Sequence, residues 1–164
     1  MPAPAPPPAL LEWIESTSLS TAIREGGLPY PIIGGLHLLS IAWFGGMLLA
    51  TDFRLLGWAM KRRSVSDVIG QLQNWKRLGF VMVTATGILL AWSEPIKLYH
   101  SPSFWIKMIL FALVFVHALI FRPVYRDPGK LDVGITTRAK VAAALSVLLW
   151  AGLIITGRLI AFDA

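Results

Sequence analysis

The chain has three histidines, His37, His100 and His117, and no cysteine. Without cysteine there are no disulfides, thiolate metal sites, iron–sulfur clusters or covalent c-type haem. Imidazole is therefore the strongest metal-binding group available. His37 lies in a stretch, residues 26–51, that contains no Asp, Glu, Lys or Arg. An ionisable side chain inside so apolar a run is costly to bury and is a functional-site candidate by default. His117 lies well inside a second apolar run, and His100 lies on a short polar connection. Two neutral imidazoles facing each other across a helical bundle suit a haem iron.

A flat macrocycle between helices needs small residues where backbones approach it. Around His37 these are Gly34, Ser40 and Gly45. The second apolar run offers Thr84, Gly87 and Ala91, and the last offers Ala144, Gly152 and Thr156. Arg158 and Lys107 are the cations that could meet the propionates. Ser40, Thr84 and Thr86 are the expected hydrogen-bond partners holding the rings. The expected site is thus one non-covalent haem b on His37 and His117, with Arg158, Lys107, Gly34, Gly45 and Gly87 around it, and a quinone as a further ligand. The competing structural reading is that each intramembrane histidine only hydrogen-bonds a neighbouring helix, that Arg158 snorkels to the interface, and that the glycines serve helix packing. Depth opposes the histidine pair: if both helices start level, the rings are offset by roughly 12 Å at 1.5 Å per residue. His100 is the rival partner on the outer side.

The elements that must position these groups are helices. The chain is 55% hydrophobic and 15% charged, which is neither an ordinary soluble nor a disordered composition. About 20 apolar residues cross a bilayer core, and the spans are read at about 30–50, 78–93, 103–121 and 141–162. Residues 1–9 alternate Pro and Ala and are expected to be extended or disordered. Residues 10–27 are read as one or two short amphipathic helices on the membrane surface, ended by Gly26-Gly27. Residues 28–164 then form the transmembrane part. Between the first two spans, Ser66 is expected to cap a short amphipathic helix, with Lys76 and Arg77 closing the connection. Ser103 is expected to cap the third span, and Pro123 to break the chain after it. The fold class is all-α: an integral membrane four-helix bundle, up-down-up-down, with an N-terminal surface helix.

The net charge of +6 is not a nucleic-acid signature, because the basic residues flank apolar runs. Eleven of them fall in the connections after spans one and three, and four elsewhere. The positive-inside rule then puts both termini outside. No phosphate-binding glycine loop, serine nucleophile elbow or HExxH pair occurs.

Several stretches resemble an uncharacterised bacterial family of small four-span membrane proteins: SLSTAIREG (18–26), YPIIGGLHLLSIAWFGGMLL (30–49), DFRLLGW (52–58), NWKRLGF (74–80), SPSFWIKMIL (101–110) and TGRLIAF (156–162). The resemblance covers nearly the whole chain and includes His37 in its LHLL setting. It implies a bacterial inner-membrane bundle with a cytochrome b-like or copper-resistance-protein-like architecture, and no established activity. The leading expectation is a b-type cytochrome subunit passing electrons between the quinone pool and an extracytoplasmic redox partner. The alternatives are a cofactor-free anchoring subunit of a larger complex, and a copper-handling protein using His37 with Met47 and Met82. A homo-oligomer fits any of these, and nucleic acid is not an expected partner.

Overall fold

The computed structural model describes residues 6–163. Most of the Pro/Ala tract, residues 1–5, and Ala164 lie outside them. The described residues contain helices and no strand. In order these are α1 (Ala9–Ser16), α2 (Ser18–Glu25), α3 (Pro29–Leu56), α4 (Val65–Ser93), α5 (Pro95–His100), α6 (Pro102–Arg126), α7 (Lys130–Val133) and α8 (Thr137–Leu159), followed by a 3₁₀ turn, Ile160–Phe162. Three of them are long and apolar enough to cross a membrane: α3, α6, and α8 with its 3₁₀ turn.

The helix boundaries follow local chemistry. Pro29 stands in the first turn of α3, where its missing N–H costs nothing. Gly57 ends that helix at φ 76°, a left-handed conformation that only glycine adopts cheaply. Two expected caps are displaced. The N-cap of α4 is Ser64, whose hydroxyl accepts from the Asp67 amide, rather than Ser66. The N-cap of α6 is Ser101, accepting from Phe104, rather than Ser103. In each case the earlier serine has the extended backbone a cap requires. The short amphipathic helix and the second apolar run are also not separate. They form one 29-residue helix, α4, which passes through Lys76 and Arg77 unbroken. Pro123 lies inside α6, which continues to Arg126.

The long helices pack as antiparallel neighbours. On α3 and α4, Tyr30 meets Glu94, His37 meets Thr86, Phe44 meets Phe80 and Thr51 meets Lys76. On α6 and α8, Lys107 meets Gly157, Leu110 meets Gly152 and His117 meets Ala142. The two pairs join where α3 crosses α8, with Phe44 edge-on to Trp150 at 5.5 Å and the Trp150 indole filling the space above Gly45. Helix packing does not close the side between α4 and α6. The main buried cluster lies towards the basic end: Leu55, Val65, Ile69, Val124, Leu131, Ala139 and Ala143. The apolar window of α6 has no buried residue, so Phe115, Leu119 and Ile120 present their side chains outward.

The α1–α2 pair sits over the opposite end. Thr17 breaks it in two with an extended backbone, while its hydroxyl accepts from the Ser20 amide. The C-terminal carbonyl of α4, Ser93, accepts from the Ser20 hydroxyl at 3.1 Å and from Arg24 at 3.2 Å. A cation there also meets the negative end of the helix dipole. The expected surface element is therefore two helices, and it is tied to the end of α4.

Candidate functional site

His37 lies on α3, half-buried and facing α4. Its Nδ1 is 2.9 Å from Thr86 Oγ1. The Thr86 hydroxyl is itself a donor to the Met82 carbonyl at 2.7 Å. A hydroxyl has one proton, so with Met82 as its acceptor the Thr86 oxygen accepts from the ring. In the tautomer that satisfies both bonds, Nδ1 bears the imidazole proton and Nε2 keeps its lone pair. Metal-bound histidines are oriented in this manner, with the second nitrogen donating to a fixed acceptor. Gly87 gives the ring its room: a Cβ built there would come within 3.2 Å of His37 Cε1.

The other expected partners behave differently. Ser40 is 1% exposed and its hydroxyl donates back to Leu36 within α3. Thr84 is exposed. Thr86 is thus the one of the three that holds His37. Gly34 has open space where a Cβ would stand, and Gly45 accommodates Trp150. Of the three glycines expected near the ring, only Gly87 touches it.

Lys107 reaches from α6 towards the same region. Its Nζ lies against Gly157 of α8 and 5.9 Å from the Phe111 ring centroid, within electrostatic reach of His37. No acid pairs with it among the described residues. Arg158, next to Gly157 in the chain, takes another face of α8. It is exposed, with its guanidinium 5.2 Å from the Phe162 ring. Only one of the two expected outer cations is therefore turned towards His37.

His117 is not brought to His37. Its Nε2 lies 2.9 Å from the Ala142 carbonyl, which can only accept, and its ring stacks on Phe121 at 4.9 Å. The α8 helix serves as a ruler. His37 lies eight residues before Gly45, which faces Trp150, and His117 is level with Ala142, eight residues before Trp150. Because α3 and α8 are antiparallel, these offsets add, to roughly 24 Å at 1.5 Å per residue. A single iron needs each ligand nitrogen at about 2 Å, the usual metal–imidazole distance. The two-histidine site is corrected on this ground: the packing of α6 on α8 places His117 at the basic end. His100 does not replace it. It is exposed at the end of α5, edge-on to Tyr99 at 5.1 Å. Among the described residues no three or more His, Asp or Glu side chains gather in a metal-binding group.

Sequence reasoning passed over a second polar cluster, at the basic end. Asp52 is 2% exposed, and its Oδ2 has no hydrogen-bond partner. Thr51, also 2% exposed, accepts from Lys76 Nζ at 3.2 Å. The signal was helical spacing: Ser40, Gly45, Thr51, Asp52 and Leu55 are the buried residues of α3, but Asp52 lies just past the end of the first span as read from the sequence and was assigned no role.

These features define an all-α chain with three helices long and apolar enough to cross a membrane and a half-buried histidine on α3. The chain belongs to a family of unknown function, DUF6644, whose model matches residues 10–163. No curated protein and no solved structure matches it.

Proposed function

We propose that this chain is a four-helix, up-down-up-down bundle of the bacterial cytoplasmic membrane, with both termini extracytoplasmic, and that it is an electron-transfer subunit holding one haem b on His37. The observation that carries the reading is the His37–Thr86–Met82 chain of hydrogen bonds, which leaves Nε2 free as a ligand. The α4 helix supplies the fourth span through residues 78–93, which carry no charge. The residues present offer a haem iron one protein ligand, His37, and His117 lies too far along the bundle to be a second. His37 would hold the iron, Gly87 gives the ring its room, and Lys107 is the nearest cation for a propionate. A bound haem would supply one-electron chemistry; this chain's part would be to hold it through His37 and to orient the imidazole through Thr86. Quinone on one side and an extracytoplasmic redox protein on the other are the proposed partners.

The second reading is a cofactor-free anchoring subunit, favoured by the outward apolar surface of α6. The absorption spectrum of the purified full chain from haem-replete cells, with and without dithionite, separates the two. A haem b with a five-coordinate, high-spin spectrum supports the first, because neither His117 nor His100 supplies a sixth ligand. A colourless protein overturns it and leaves the anchoring subunit.

A further inference from the structure

Asp52 stands at the basic end of α3 in a cluster to which every long helix contributes a polar side chain. The α3 helix brings Thr51 and Asp52, α4 brings Lys76, α6 brings Tyr125, and α8 brings Ser146. Ser146 approaches the Asp52 carboxyl, and Tyr125 and Lys76 lie within its electrostatic reach. Yet Asp52 Oδ2, in a side chain almost wholly buried, has no donor. An unpaired buried carboxylate oxygen is expensive, and it is relieved by a proton or a water.

The position of Lys76 sharpens the point. At low dielectric two opposite charges attract strongly. Lys76 nevertheless donates to the Thr51 hydroxyl, and the two charges do not close into an ion pair. Thr51 in turn passes its own proton to the Met47 carbonyl, so it cannot donate to Asp52. Ser146 thus serves the Asp52 carboxyl while Oδ2 stays unpartnered, with a cation held one residue away.

We propose that Asp52 is a proton-binding site at the basic end of the helices, and that Lys76 is the cation that sets its proton affinity. The bound proton gives Oδ2 its missing hydrogen. Release leaves a carboxylate that Lys76 stabilises from the neighbouring helix. The site lies roughly 22 Å along α3 from His37, fifteen residues at 1.5 Å each. It does not depend on whether His37 carries a cofactor.

The test is carboxyl-carbon NMR of the full chain in lipid nanodiscs, recorded as a function of pH. Thr51-Asp52 is the only Thr-Asp step in the sequence, so pairwise Thr and Asp labelling identifies residue 52 without a substitution. The expected result is one titration step at Asp52 within the pH range where the protein stays folded. Lys76→Gln should raise its proton affinity about tenfold, one pH unit, through loss of the neighbouring cation, while Lys76→Arg should leave it within a few-fold. An Asp52 carbon that does not move, or a midpoint indifferent to Lys76→Gln, overturns the proposal.

Discussion

Thr86 accepts a hydrogen bond from His37 at 2.9 Å while giving its own proton to Met82, and that relationship decides which imidazole nitrogen is free. Thr86→Val should keep the volume and remove the acceptor. Loss of such an orienting partner typically costs 10–100-fold in metal-site affinity, so haem retention should fall by about that factor. His37→Ala should abolish it. His117→Ala should leave the spectrum unchanged, because His117 is engaged with Ala142. Haem titration of the three variants, read by absorbance, checks all of this; a spectrum altered by His117→Ala would contradict the site.

Gly45 separates packing from ligand binding. The Trp150 indole occupies the space a side chain would need, so Gly45→Val should force α3 and α8 apart. Overpacking of this kind costs about 1–3 kcal/mol. The loss should appear in denaturant unfolding of the colourless and the pigmented protein alike. Stability lost only with pigment present would return Gly45 to the cofactor.

Two aspartates make stability fall in acid. The Ser66 hydroxyl and amide, then the Val65 amide, hold Asp132 below the ordinary carboxylate value; the Ser101 hydroxyl and Ser103 amide do the same for Asp163. The folded chain therefore binds their protons less readily than the unfolded chain. Their contribution is present above the ordinary value near 3.8 and is lost as pH falls through it and below. Unfolding followed across that range should show Asp132→Asn and Asp163→Asn each less stable than the parent at neutral pH and less sensitive to acid. Parallel pH profiles would contradict the assignment.

The charge asymmetry of the connections predicts topology. A reporter fused after Ala164 should be active outside the cytoplasm, because eleven basic residues lie in the two connections assigned inside. Cytoplasmic activity would reverse the orientation.

Helix content and the histidine on α3 were legible in the sequence because apolar runs, prolines and glycines are local signals. Cap choice was less so: Ser64 and Ser66 are both good caps, and the backbone alone selects between them. Lys76 looked like the end of a connection because a charge beside Arg77 usually marks one, whereas its stem runs inward to Thr51. The fate of His117 was only half legible: counting from the helix starts already offset it by roughly 12 Å from His37, but its partner on α8 could not be read. It depends on how far α6 slides along α8, which is fixed by contacts such as Leu110 on Gly152 between residues distant in sequence. The same holds for Asp52, whose surroundings come from four separate helices.

The two capping aspartates also impose an order of assembly. The Val65 amide at the start of α4 waits for Asp132, 67 residues later, and the Ser103 amide at the start of α6 waits for Asp163, 60 residues later. A nascent chain that has made α3 and α4 has Ser64 to hold the Asp67 amide, but its Val65 amide lacks the Asp132 acceptor until α7 emerges from the ribosome. Ser101 likewise holds the Phe104 amide at the start of α6, while the Ser103 amide waits for Asp163. Each hairpin is therefore latched by a residue translated after it, and a chain cut short anywhere before Asp163 reaches the membrane with its last latch open.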